Sequence, residues 1–341
     1  MTNAWSSEIG SSGRQTRRAV LLLAAATIGL SGQVQAGRGR VRISKNPPIP
    51  PDEAILPSET DREIRTFDFR QYIYRPRGNV RNQLAIMLPG TNGEGRGLLR
   101  VCVNAAVMGY HVIIPMYPND VAAAVCRNDE DPDAFEKFRL AIIEGGTSPY
   151  LKEGIARSES IENRIVKLLR YLGSRHSDQG WGQYLRGDNI VWEKIAIGGG
   201  SQGGGHAALI ATKYPVARVL CFGAPKDYST RLRAPAAWYR KSVTPPSRFF
   251  AFNNTHDRQG CSYEQQVENL RALGIADGIA NVDTDGPPYR HARALFTSWP
   301  GPESSIESLP AHTSVIDDEP WRDNGPIFRP VWRYMFTEPT P

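Results

Sequence analysis

Along this chain, short runs of consecutive apolar residues alternate with segments whose apolar positions recur at helical spacing. The runs at 83–88, 111–116, 195–197, 217–222 and 247–252 predict buried strands. The alternating, aromatic-bearing stretch 64–74 predicts another, and a last strand pair is expected within 278–299. Helical spacing is read at 97–108, 204–213, 263–273 and 326–336, and over most of 122–182. The best helix is 158–172, where Ile161, Ile165, Leu168, Leu169 and Leu172 share a face and Ser158 is placed to cap it. Residues 227–244 read as a loop or short helix. Strands without polar alternation, separated by helices, predict a mostly parallel sheet covered on both faces. No repeat and no boundary is seen after residue 61, so 62–341 is expected to be one domain.

The stretch from Ile195 to Ala208 concentrates the chemistry. A β-branched apolar run leads into Gly199-Gly200-Ser201-Gln202-Gly203, and a small-residue helix follows. Strand, G-x-S-x-G turn and helix together form the context of a nucleophile elbow. A serine hydroxyl is a weak nucleophile until a base takes its proton. Glycines two positions either side let the strand cross tightly into the helix. That helix aims its N-terminal amides and positive dipole end at the place where an oxyanion would form.

Composition bounds the rest. The chain has 341 residues, 40% hydrophobic and 22% charged, enough for a large core. The formal charge is +6. Arg14, Arg17 and Arg18 against Glu8 place +2 of it within residues 1–36, leaving a mildly basic body without a Lys/Arg block interleaved with aromatics. Nucleic acid is therefore not an expected partner. Residues 1–36 read as an export signal. It has a basic n-region, an apolar stretch from Ala19 to Leu30 too short to span a bilayer comfortably, and a small-residue cleavage site at Val34-Gln35-Ala36. Thr16-Arg17-Arg18-Ala19-Val20-Leu21-Leu22 resembles a twin-arginine signal. The expected location is periplasmic or extracellular, without a stable membrane anchor. Residues 37–61, with Pro47, Pro48, Pro50 and Pro51, read as an extended arm. Of the four cysteines, Cys221 lies in an apolar run. Cys126 and Cys261 sit in polar stretches and are the expected pair if a disulfide forms. No Cys or His spacing points to a metal.

The Ser201 elbow, the Leu88-Pro89-Gly90-Thr91-Asn92 turn after an early strand, and an acid and a histidine after later strands resemble the α/β-hydrolase fold over most of 62–338. The phrasing Gly200-Ser201-Gln202-Gly203-Gly204-Gly205-His206 is similar to exported bacterial hydrolases and lipases, and its Ser-Gln-Gly core to cutinases. One departure is Gly200, where many such proteins carry His or Tyr. A more flexible elbow is expected there. The resemblance implies the order Ser, Asp or Glu, His. On it the base is a histidine after the last strand. His312 fits best, ahead of His291, His256, His206, His111 and His176. The acid is Asp257, with Asp283 and Asp285 as competitors and Asp317 and Asp318 out of order. As a structural residue, Asp257 would instead cap a helix or pair with Arg258. The oxyanion donors are the amides of Gln202 and Thr91, with Asn92 second and the Thr91 hydroxyl as a third donor. His206 reads as a packed structural histidine. Trp238, Tyr239 and Phe249 are candidates for a lid or substrate contact. The implied activity is cofactor-free hydrolysis of a small-molecule or lipid carboxylic ester through an acyl-enzyme. A peptidase or amidase on the same residues, and a non-catalytic binding protein of this fold, are the alternatives.

Overall fold

The apolar runs lie side by side in one nine-stranded sheet. The computed structural model describes residues 49–300, 309–316 and 328–340. In chain order the strands are β1 (Glu53–Ile55), β2 (Gln71–Tyr74), β3 (Leu84–Leu88), β4 (His111–Ile114), β5 (Leu185–Arg186), β6 (Asn189–Ile190), β7 (Ile195–Gly200), β8 (Arg218–Phe222), β9 (Tyr228–Ser229), β10 (Ala234–Pro235), β11 (Phe249–Asn254), β12 (Ile279–Asn281) and β13 (Ala294–Thr297). The main sheet runs β1-β2-β4-β3-β7-β8-β11-β13-β12, while β5–β6 and β9–β10 are small ribbons. β1 and β2 pair antiparallel at one edge, and β2 meets β4 antiparallel. From β4 to β12 every pairing is parallel.

The strands read as unbroken apolar runs because both faces are covered. Leu84, Ile86 and Leu88 of β3 join one core, and Ala85 and Met87 join the other. The helices are α1 (Pro57–Thr60), α2 (Leu99–Val107), α3 (Ala134–Glu144), α4 (Ile161–Arg175), α5 (Gln202–Lys213), α6 (Tyr263–Ala272), α7 (Leu309–Ser314) and α8 (Arg329–Thr337). The first core takes residues from α3, α4, α5 and α6, the second from α2 and α8. Burying each α4 leucine or isoleucine in that first core contributes about 1.5–3 kcal/mol. A mostly parallel sheet, helices on both faces and a strand–serine–helix elbow at its centre make this an α/β-hydrolase fold.

Local expectations are corrected in four places. The cap of α4 is Ser160, not Ser158. Its side chain accepts from the Asn163 amide at 3.3 Å, and a 3-10 turn, Arg157–Glu159, precedes it. The strand expected over 64–74 exists only at Gln71–Tyr74. Upstream, the backbone is bonded by side chains instead of a ladder. Glu159 accepts from the amides of Arg65 and Thr66, and Arg164 donates to the carbonyls of Thr66 and Phe67. Within the stretch read as an arm, Glu53–Ile55 forms the edge strand β1. The fourth correction is the disulfide: all four cysteines are free and buried. Cys126 Sγ faces the Ala134 carbonyl at 3.7 Å. Burial pushes the thiols of Cys126 and Cys261 up to about 12, which keeps them protonated and unreactive. Among the described residues no helix is long and apolar enough to cross a membrane. Residues 1–48, which carry the expected leader and the first part of the arm, lie outside the described residues.

Candidate active site

β7 ends at Gly200 and α5 starts at Gln202, so Ser201 alone makes the turn. Its backbone sits at φ 52°, ψ −119°, a conformation that costs about 1–3 kcal/mol for a residue with a side chain. The surroundings hold it there. The Ser201 amide donates to the Phe222 carbonyl at 2.8 Å, and the Ser201 carbonyl accepts from the Gly205 amide at 3.2 Å. Sterics require the motif glycines. A Cβ at Gly199 would lie 2.4 Å from the Leu88 carbonyl oxygen, and one at Gly203 would lie 2.1 Å from the same oxygen. β3 therefore passes too close for any side chain. Gly203→Ala is expected to lower stability by about 3 kcal/mol or more, read as a drop in melting temperature or loss of soluble protein.

His312 and Asp257 come together although 55 residues separate them. His312 Nδ1 lies 2.6 Å from Asp257 Oδ2. In the neutral ring the nitrogen facing a carboxylate carries the proton, and Nε2 is then the free nitrogen that a general base needs. Asp257 is fully buried at the end of β11, and its other oxygen accepts the Gln259 amide at 2.8 Å. Burial pushes this carboxyl up. The His312 hydrogen bond and the Lys226 charge more than offset that and hold it below the ordinary value of 3.8. The stability Asp257 contributes as an anion is thus present above pH 3.8 and lost as the pH falls through its lower folded value. A melting-temperature series into acid should decline less steeply for Asp257→Asn than for the native chain. His312 lies after the last strand, as expected, in the short helix α7. The flanking residues 301–308 and 317–327, with Asp317 and Asp318, lie outside the described residues.

The two expected oxyanion amides both border the cavity beside Ser201. Among the described residues neither the Thr91 nor the Gln202 backbone N–H meets an acceptor. The second choice, Asn92, is spent: its amide donates to the Asn119 carbonyl at 3.0 Å. The Thr91 hydroxyl is not a third donor, because it donates to Gln202 Oε1 at 3.1 Å. Thr91→Val should therefore reduce any turnover by no more than about tenfold, the worth of one neutral hydrogen bond, in steady-state assays.

Several side chains that build the site were not read from the sequence. Gln202 Oε1 also accepts the Ala123 amide at 2.8 Å, and Nε2 donates to the Val121 carbonyl at 3.0 Å. The side chain thus ties the elbow to two loops. Asn119 Nδ2 donates to the carbonyls of Gly90 and Gly93, both at 2.9 Å, and sets the curvature of the Thr91 turn. Below the elbow Arg139 binds Asp227 with two bonds of 2.6 Å and donates to the Gln202 carbonyl at 3.0 Å. The available signal was a charge at an α3 position flanked by Phe135, Phe138 and Ile142, all buried. Lys226 Nζ bonds Asp257 Oδ2 and the Gln259 carbonyl, and lies 3.4 Å from His312 Nδ1.

The cavity has a volume of about 530 Å³ and is bordered by Gly90, Thr91, Ser201, Gln202 and His312 among others. That size is within the range of small-molecule sites. The other candidates are engaged elsewhere. Asp283 accepts from Thr297 and Ser298, and Asp285 pairs with Arg290. His291 contacts Glu338, His176 pairs with Glu53, and His111 bonds Gln179 and Tyr184. His256 is exposed and its amide bonds Asn254. His206 is fully buried beside Arg139, and burial lowers its pKa well below the usual value. Trp238, Tyr239 and Phe249 form no lid. All three are buried away from the cavity lining, and Trp238 and Tyr239 bond Asp227.

No family model and no curated protein matches the chain. Among solved structures it is similar to esterase 2 of Thermogutta terrifontis in its apo form, at 14% identity over 79% of this chain and 92% of that one, with a TM-score of 0.39. An alpha-beta serine hydrolase homologue from Coxiella burnetii is 12% identical over 74% and 88%, with a TM-score of 0.36. Acetyl xylan esterase from Aspergillus awamori is 12% identical over 65% and 79%, also at 0.36. At this distance the fold rests on strand order and elbow geometry, and the chemistry on the site itself.

Proposed function

We propose that this protein is a serine hydrolase of carboxylic esters. One observation carries the reading. A serine at a strained elbow borders a cavity together with two unpaired backbone amides and a histidine bonded to a buried aspartate. In this reading Ser201 Oγ attacks the acyl carbon while His312 Nε2 takes its proton. The amides of Thr91 and Gln202 hold the tetrahedral oxyanion, and each such donor is worth about 2.7–4 kcal/mol. His312 returns the proton to the departing alcohol. A water activated by the same nitrogen then releases the acid from Ser201. Asp257 keeps the imidazole in the required tautomer and stabilises the imidazolium.

A small fluorophosphonate tests the nucleophile directly. The native chain should be labelled at Ser201 and a heat-denatured control should not. Equal labelling of the two would leave a binding role as the better reading. Faster turnover of matched amides than of esters would reassign the activity to a peptidase or amidase. We also propose, from residues 14–36, that the chain is exported by a twin-arginine signal and matures after Ala36. N-terminal sequencing of the protein from its native host should begin at Gly37, and a cytosolic chain starting at Met1 would refute export.

A further inference from the structure

The run from Gly198 to Gly205 contains six glycines, and packing forces five of them. A Cβ would come within 2.6 Å of the Leu220 carbonyl oxygen at Gly198 and of the Ala224 Cβ at Gly204. At Gly199 and Gly203 it would meet the Leu88 carbonyl oxygen at 2.4 Å and 2.1 Å, and at Gly205 it would lie 2.3 Å from Arg139 Nη2. Gly200 is the exception. Its φ is not in the left-handed region. A Cβ there would touch only Ile316 Cδ1 at 3.5 Å and Leu98 Cδ2 at 3.6 Å, which are ordinary contacts. Neither backbone strain nor packing among the described residues requires glycine at this position.

Gly200 instead has room for a Cβ between Leu98 and Ile316 among the described residues. It borders the cavity next to Ser201, as do Leu98, Phe222, Ile316 and Gly97. A Cβ at Gly97 would likewise find only Ile316, at 3.9 Å. Leu98 and Phe222 are buried and apolar, so their side chains offer nothing to satisfy a polar substituent. Lys226, Gln259 and Gly260 also border the cavity. Beside Ser201 the cavity is thus bordered by the apolar side chains of Leu98, Phe222 and Ile316, and the missing side chain of Gly200 widens it there.

Resting on the hydrolase reading above, we propose that Gly200 is a specificity-determining residue. It opens a slot between Leu98 and Ile316 for an unbranched apolar chain of the ester substrate. The chain belongs either to the acyl group or to the alcohol, and the test distinguishes them. A side chain at position 200 would grow from the β7 end into the slot, so substrates that reach into it would lose binding in the transition state while short ones would not meet it.

The measurement is kcat/KM for two ester series on the purified native chain, Gly200→Ala and Gly200→Leu. One series varies the acyl chain from acetyl to octanoyl on p-nitrophenol. The other varies the alcohol from ethyl to octyl on acetate. In one of the two, the hexyl-to-ethyl (or hexanoyl-to-acetyl) ratio should fall roughly tenfold or more in Gly200→Leu and several-fold in Gly200→Ala. The series that responds identifies which chain occupies the slot. If both ratios stay at native values in both variants, the slot assignment is overturned. If Gly200→Leu does not fold, Gly200→Ala alone carries the same test, since its Cβ meets no clash. Fluorophosphonate labelling of Ser201 separates the two levels. Labelled protein with unchanged ratios refutes only the slot, whereas a native chain that neither labels nor turns over any ester refutes the hydrolase reading and the slot with it.

Discussion

Ser201→Ala is expected to lower p-nitrophenyl ester turnover by about 10⁶-fold, with the melting temperature at or above the native value. The size follows from how such groups act. A nucleophile, its base and the oxyanion donors work as one unit, so losing the attacking oxygen forfeits nearly all that covalent catalysis supplies. The direction of the stability effect follows from local structure. Ser201 sits at φ 52° and the motif glycines are fixed by contacts with the β3 carbonyls, so an alanine inherits the same backbone and loses only a hydroxyl. Turnover above about 1% of native in the folded variant would place the nucleophile elsewhere. His312→Ala should match the Ser201→Ala loss within an order of magnitude, because the base and the nucleophile share one step.

Asp257→Asn should cost about 10⁴-fold in kcat. An amide in place of the carboxylate presents a donor to His312 Nδ1 as readily as an acceptor, which favours the wrong tautomer and gives no charge to stabilise the imidazolium. This substitution also has a structural consequence that Ser201→Ala lacks. Lys226 is bonded to Asp257 and its side chain is 11% exposed, so the variant leaves a largely buried ammonium without its counter-charge. A lowered melting temperature is therefore expected alongside the kinetic loss. Asp257→Asn combined with Lys226→Met should recover the melting temperature without recovering activity, which separates the two effects. Asp283→Asn is the control. Among the described residues its carboxylate accepts from Thr297 and Ser298 and stands apart from His312, so activity should stay within a few-fold. An inactive Asp283→Asn with an active Asp257→Asn would overturn the assignment of the acid.

Much of this architecture was legible because hydrophobic pattern and chain order are local properties. Unbroken apolar runs marked β3, β4, β7, β8 and β11, since strands covered on both faces need no polar alternation. The glycines of the elbow announced a close crossing. Ser158 and Ser160 could not be ranked by spacing alone, because both precede the same apolar face and only the 3-10 turn at Arg157–Glu159 decides between them. Residues 64–70 looked like a strand because aromatics alternate there. The carboxylate of Glu159 and the guanidinium of Arg164 claim that backbone instead, from more than 90 residues away.

The sequence by itself determined the alternation of strands and helices, the position of Ser201 between a strand and a helix, and which residue types were present to serve as base and acid. Tertiary structure alone decided which of them meet. His312 reaches Asp257 and not Asp283 because β11, not β12 or β13, ends at its side. Thr91 rather than Asn92 keeps a free amide because Asn119, 28 residues on from Thr91, takes the other one. Lys226, Arg139 and Asp227 carry no motif. Their roles arise from distances between segments far apart in the chain, which no local pattern encodes. Gly200 makes the same point from the other side. In the sequence it is one glycine among six. Only the placement of Leu98 and Ile316 around it shows that a Cβ would fit there without a clash, beside Ser201.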